Sequence, residues 1–234
     1  MEIRNLKRLS KHDIENQSVK VLHHFNENYF SLIRPTPLND IVNNLVRQDY
    51  LKYEELILGY ANDGSRILGC YIPNKKFILI DPTLKSNQKS KFNFVLGHEL
   101  GHFVLHRNLV TPVNDEDIQD SDTKIFSEKK ELVTDLDFME WQANYFSSVI
   151  LLPKDMLYNK LIRVVEKLGM RWKGRIFVDS QRCNQTDYYN VLAMLCDFFE
   201  VSKTVAEIRL KELRLLIDKR AIAKSIGDIL NENK

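Results

Sequence analysis

The run His98-Glu99-Leu100-Gly101-His102 sets two imidazoles four residues apart with a carboxylate between them, the residue types of hydrolytic metal chemistry. Apolar residues before it (Phe92, Val95, Leu96) and after it (Phe103, Leu105) keep helical spacing from Phe92 to His106, so both histidines share one helical face. Their Cβ atoms then lie roughly 6 Å apart, and metal-nitrogen bonds of about 2.0 Å let one zinc ion sit between the rings. Glu99 follows His98 by about 100° around the helix, which puts its carboxylate beside the metal. Zinc lowers the pKa of a water it binds from 15.7 to about 7. A neighbouring carboxylate can take that proton as general base and later hand it to a leaving amine.

Such a site needs a third protein ligand. The pattern HExxHxxGxxH is excluded, because Leu105 holds its glycine position and Asn108 its last histidine position. The other class takes a carboxylate from a second helix. Leu136, Met139, Ala143, Phe146 and Ile150 form an apolar helical stripe from about Asp135 to Leu151, stopped by Pro153. Glu140 borders that stripe, where an acid buried alone is costly and needs a partner. Asp135 and Asp137 are accounted for as first-turn acids favoured by the helix dipole. Glu140 is therefore the expected third ligand. One turn later Asn144 can hydrogen-bond a ligand histidine, the competing reading being a surface amide. His106 continues the histidine series but lies about 5.4 Å further along the axis, too far for the same ion. It reads as a packed or hydrogen-bonded core histidine behind the ligands, with transition-state stabilisation as the lesser alternative. Tyr145, Tyr188 and Tyr189 are oxyanion candidates only in that a phenol can donate.

Gly97 and Gly101 flank the histidine face on the side away from Glu99. Each costs about 1 kcal/mol relative to Ala inside a helix, so a second helix or a substrate backbone should approach closely there. Upstream, Ser10 to Phe30 reads as a helix with Ser10 as N-cap and with His12, His23 and His24 on the surface. Arg34-Pro35-Thr36-Pro37 breaks it, and Leu38, Ile41, Val42, Leu45 and Val46 mark a second helix. Residues 66–72 and 77–81 flank Pro73-Asn74-Lys75 and read as a β-hairpin, with a further strand near Leu51 to Leu58. An exposed strand edge there could lay an extended peptide across the metal; a sheet that only packs on the helix is the other expectation.

Downstream, the acid-rich Arg107 to Lys130 reads as a solvated loop or lid. A helix is expected from Pro153 to about Leu168, then a link with a β-prone core at Arg175 to Val178. Asp187 and Ser202 can cap two last helices, the second reaching Leu216, and Glu200-Val201-Ser202 joins them in a helix-turn-helix-like way. Lys203, Arg209, Lys211 and Arg214 are offset there by Glu207 and Glu212, so phosphate attraction should be modest.

With 234 residues, 44% of them hydrophobic and 28% charged, the chain can bury a substantial core. A net charge of +2 argues against a purely electrostatic nucleic-acid binder. The first ten residues do not read as a signal peptide, and no apolar run approaches the length of a membrane span. Cys70, Cys183 and Cys196 form no CxxC pair; reduced, buried thiols in a cytoplasmic protein are expected, rather than metal ligands.

Three segments, HELGHFVLH, EWQANYFSSVILLP and LAMLCDFFEVSKTVAEIRLKELRLL, resemble the ImmA/IrrE family of cytoplasmic zinc endopeptidases, over roughly Pro37 to Leu216. The resemblance implies zinc held by His98, His102 and Glu140, with Glu99 as base, the same positions that the spacing reaches. It also implies a helix-turn-helix repressor as protein substrate and partner, whose cleavage releases genes of mobile elements or stress responses. Ser147 and Ser148 depart from the small residues usual at their positions, and the acidic segment before Glu140 is long. The expected fold is α+β: a mostly helical, zincin-like domain over residues 1–160, with a small antiparallel sheet before the HExxH helix. Residues 161–234 form a helix-turn-helix-like C-terminal region. The competing expectation is a non-catalytic regulator that binds DNA or a repressor through its C-terminal helices, with a structural zinc.

Overall fold

Ser10 starts the first helix, α1 (Lys11–Phe25), with a reciprocal cap: its hydroxyl accepts from the Asp13 amide at 3.2 Å, and the Asp13 carboxylate accepts the Ser10 amide at 3.0 Å. This is a computed structural model, describing residues 6–61, 63–107, 109, 120–121 and 134–220. Helix α1 stops at Phe25, short of the expected Phe30. The Asn26 side chain accepts from the Asn28 amide at 2.9 Å and turns the chain into a 3-10 turn at Tyr29–Ser31. His12, His23 and His24 are exposed, as expected. Helix α2 (Leu38–Arg47) buries Leu38, Ile41 and Val42.

The strands β1 (Lys52–Glu55), β2 (Ile67–Ile72), β3 (Phe77–Ile80) and β4 (Asp120–Ser121) form one sheet in the order β1-β3-β2-β4. The β2-β3 hairpin turns through Pro73–Lys75 as read from the sequence, with Lys76 in the left-handed region at φ 48°. The sheet is mixed where an antiparallel one was expected. The hairpin inserts β3 between β1 and β2, so β3 runs parallel to β1 (Lys52↔Phe77) and antiparallel to β2 (Gly69↔Ile80). On the other side of β2, the backbone at Asp120 and Ser121 pairs with Gly69 and Ile67, which makes that point of the acid-rich segment a strand. The rest of the expected lid, beyond Arg107 and Leu109, lies outside the described residues.

A short helix α3 (Thr83–Asn87) leads into α4 (Lys89–His106), which begins one turn before the periodic apolar stretch. Helix α5 (Asp135–Leu151) has the expected bounds, and Thr134 and Asp137 cap it reciprocally at 3.1 and 2.9 Å. Then follow α6 (Lys154–Lys167), β5 (Ile176–Val178), α7 (Arg182–Phe199), α8 (Lys203–Glu212) and β6 (Leu216–Asp218). Two expectations fail here. Helix α7 starts before Asp187, because Asp179 holds its entry, accepting from the Gln181 amide and the Asn184 side chain at 2.9 Å each. Helix α8 does not reach Leu216: Arg214 takes φ 57°, and Leu216 to Asp218 pair in parallel with β5. None of the cysteines is in a disulfide, and only Cys70 is buried; Cys183, in the first turn of α7, is exposed.

Apolar side chains from α1 (Ile14), β3 (Ile78), α4 (Leu96), α5 (Phe146), α6 (Leu157), α7 (Leu195) and α8 (Leu210) form one continuous buried cluster. Arg209 of α8 is 1% exposed inside it, 2.8 Å from Glu15 of α1 and donating to the Leu152 carbonyl just after α5 at 3.3 Å. The architecture is α+β, mostly helical and zincin-like. Among the described residues no helix is long and apolar enough to cross a membrane.

Helices α4 and α5 cross at the two glycines. A Cβ built on Gly101 would stand 3.2 Å from the Ala143 backbone, and one on Gly97 would stand 2.6 Å from the Ser147 hydroxyl, which donates to the Phe94 carbonyl at 2.7 Å. The expected close neighbour is therefore a helix. Gly97→Ala should lower stability by about 1–3 kcal/mol through overpacking, outweighing a helix-propensity gain of about 1 kcal/mol. Adding Ser147→Ala, which removes the clashing oxygen, should recover part of the loss. Chemical denaturation of the two single variants and the double variant measures this, and an unchanged Gly97→Ala midpoint would contradict the close crossing.

Candidate metal centre

The crossing brings one face of α5, on which Glu140, Ala143, Asn144 and Ser147 fall by helical spacing, against the histidine face of α4. His98 Nε2 and His102 Nε2 stand 2.8 Å apart. The Glu140 carboxylate caps the pair, Oε2 at 3.3 Å from His98 Nε2 and Oε1 at 3.7 Å from His102 Nε2. Tetrahedral ligand atoms on bonds of 2.0–2.1 Å lie about 3.3 Å from one another, so these spacings bracket those of a filled site. The histidine side chains are 0% and 2% exposed and the Glu140 side chain 19%, with Glu140 Oε2 itself buried, so the donor atoms are shielded from bulk solvent.

The outer ring nitrogens are already engaged. His98 Nδ1 lies 2.9 Å from Asn144 Oδ1, an acceptor, so Nδ1 carries the proton and Nε2 a lone pair aimed into the cluster. His102 Nδ1 lies 3.0 Å from His106 Nδ1. Burial, reinforced by the neighbouring His102, pushes the His106 pKa down to about 3, so this ring is neutral at physiological pH. An acceptor nitrogen and a carboxylate directed at one point repel each other unless a cation lies among them. The two imidazoles and the carboxylate, with ligand atoms within 4.8 Å of one another, thus fit a metal ion.

Glu99 is 1% exposed and lies between α4 and β2. A Cβ on Gly69 of β2 would come within 2.4 Å of Glu99 Oε1 and 2.7 Å of Val95 Cγ1, so the strand backbone itself forms the wall against that carboxylate.

Of the residues singled out from sequence, His98, His102 and Glu140 converge, with Glu99 beside His98 on α4. Asn144 and His106 both contact ligand histidines, and His106 stays outside the donor group. The tyrosines are employed elsewhere. Tyr145 donates to Glu15 at 3.2 Å and Tyr188 to Glu207 at 2.5 Å, while Tyr189 is exposed and packs edge-on against Tyr188. Two residues went unnoticed in the sequence. Gly69 had a signal, a glycine within the β-prone run Ile67-Leu68-Gly69-Cys70-Tyr71-Ile72. Gln142, fully buried and facing His106, had a fainter one: an amide next to Ala143 of the apolar stripe.

Paired histidines on one helix, closed by a carboxylate from a crossing helix and flanked by a glutamate, define a metallopeptidase-like class of site. The family model for the IrrE N-terminal-like domain, peptidase family M78, matches residues 58–211, and the chain belongs to that family. No curated protein matches the chain.

Gly69→Val should destabilise the metal-free protein by about 1–3 kcal/mol, because the wall has no room for a side chain. Urea denaturation in the presence of a chelator reads this out, and a stability equal to that of the parent would show that Glu99 does not lie against the strand.

Proposed function

We propose that this protein is a cytosolic zinc-dependent endopeptidase whose substrate is a helix-turn-helix transcriptional repressor. The observation that carries the reading is the convergence of two imidazole nitrogens and one carboxylate, the donor group found among the described residues. Three protein donors suit a hydrolytic zinc site, whereas structural zinc sites are closed by four. The repressor as substrate is supported by the resemblance of the HELGHFVLH and EWQANYFSSVILLP segments to the ImmA/IrrE family.

Zinc bound by His98, His102 and Glu140 would supply a Lewis acid for the scissile carbonyl and acidify the attacking water to a pKa of about 7. Glu99 would serve as the proton carrier, accepting from the attacking water and donating to the departing amine, so one carboxylate would serve both halves of the reaction. Asn144 keeps the His98 ring turned with Nε2 inward through the 2.9 Å bond to its Nδ1. The Gly69 wall limits where the Glu99 carboxylate can go, a restraint that suits a base required to act at one point.

The alternative of a DNA-gripping regulator has less support. Of Lys203, Arg209, Lys211 and Arg214, Arg209 is buried against Glu15, and Lys211 is paired with Glu207 at 2.7 Å and Asp218 at 3.2 Å. That leaves Lys203 and Arg214, both exposed, a small charge with which to grip phosphate.

The test is co-expression with a repressor encoded beside this gene, followed by the same cleavage with purified components. The parent should bind one zinc per chain and cut the repressor, and a chelator should stop it. Glu99→Gln should retain the zinc and lose about 10²–10⁴-fold in rate, the usual contribution of a general base. A Glu99→Gln protein that cuts at the parental rate would remove Glu99 from the mechanism.

A further inference from the structure

Behind His102 a buried polar chain continues away from the cluster. His106 Nε2 faces Gln142 Oε1 at 3.4 Å, and Gln142 Nε2 donates to the main-chain carbonyl of Lys7 at 3.0 Å. His106 is 3% exposed and Gln142 0%.

The Lys7 carbonyl can only accept, so it takes an amide N–H from Gln142 and fixes which way the amide points. The oxygen of that amide then faces His106 and can itself only accept, so His106 Nε2 must carry the proton. With its proton on Nε2, His106 offers Nδ1 to the facing His102 Nδ1 across 3.0 Å, where it can accept the N–H that His102 must turn outward if its Nε2 is to ligate. His102 is thereby held as the tautomer whose Nε2 lone pair points at His98 Nε2 and Glu140. The direction of every bond in the chain follows from the one carbonyl at its far end.

That carbonyl belongs to a strap. Leu6 packs with Leu109, Leu136 and Met139 in a small apolar cluster apart from the main core. The Arg8 guanidinium stands 4.1 Å from the centre of the Phe138 ring and 3.4 Å from Asp135 Oδ1. Residues 6–8 thus lie along the first turns of α5 and present the Lys7 carbonyl to Gln142.

We infer that Gln142, oriented by the Lys7 carbonyl, is a positioning residue for the metal, holding His106 and through it His102 in the one tautomer that can ligate. The inference rests on His98, His102 and Glu140 binding a metal, and it adds a residue and an N-terminal anchor that the ligand motif does not contain. Outer partners of ligating histidines are worth about 10–100-fold in metal affinity.

Zinc affinity, measured by competition with a chelating indicator, tests it alongside the melting temperature of each metal-free protein. Gln142→Met keeps the length of the side chain but removes the acceptor, and should weaken zinc binding by about 10–100-fold. Gln142→Glu keeps an acceptor for His106 Nε2–H and, as the neutral acid that burial favours, can donate its O–H to the Lys7 carbonyl, so it should stay within about threefold of the parent, a rescue that a packing role does not produce. If Gln142→Met does not fold, His106→Phe fills the same space without the acceptor nitrogen and should show the same loss. A parent that binds one zinc, with Gln142→Met or His106→Phe binding equally well, overturns the inference and leaves the ligand assignment standing. Equal losses in Gln142→Met and Gln142→Glu also overturn it, as they mark packing alone. A parent that binds no zinc overturns the ligand assignment itself.

Discussion

The close crossing of α4 and α5 is the constraint on which the site depends. The two ligand histidines lie on one helix and Glu140 on the other, so the donors meet only if the axes approach more closely than two ordinary side-chain surfaces allow. Gly97 and Gly101 provide that approach, each at an intrinsic helix penalty of about 1 kcal/mol. Ser147, which departs from the expected small residue, fits because Gly97 leaves its hydroxyl room to reach the Phe94 carbonyl. The same turns of α4 that carry the chemistry carry the packing, and a change made for one is felt by the other.

Around that crossing, the orientation of each imidazole is settled by groups that touch no ion. Asn144 takes the outer nitrogen of His98, and His106 takes that of His102. Both second contacts come from the two helices that supply the ligands, with Gln142 of α5 reaching across to His106. In a buried, weakly screening interior, such hydrogen bonds are stronger than in water and an unmet partner is costly. The donor set is therefore directed before anything binds, which is the condition for a site that holds geometry during a reaction.

Much of this could be read in the sequence because it is local. His98, Glu99 and His102 lie within one turn and a fraction, and helical spacing alone sets their directions. Helix α5 was legible from its apolar stripe, its first-turn acids Asp135 and Asp137 and Pro153, and Glu140 from being an acid at the border of that stripe. What escaped depends on partners far along the chain. Gln142 meets Lys7, 135 positions away, and no periodicity announces it. Strand β6 forms only because β5 lies alongside, and the segment around Leu213 and Leu216 has a helical pattern that this pairing overrides. The mixed sheet arises in the same way: a hairpin is a local signal, but the strand beside which it settles is not.

The burial of the donor atoms has a further consequence. With both imidazoles and the inner oxygen of Glu140 sealed, anything that reaches these three groups must first part the side chains that cover them. Release of an ion held there would be limited by that opening, so retention of the ion and tightness of the surrounding packing would become one property.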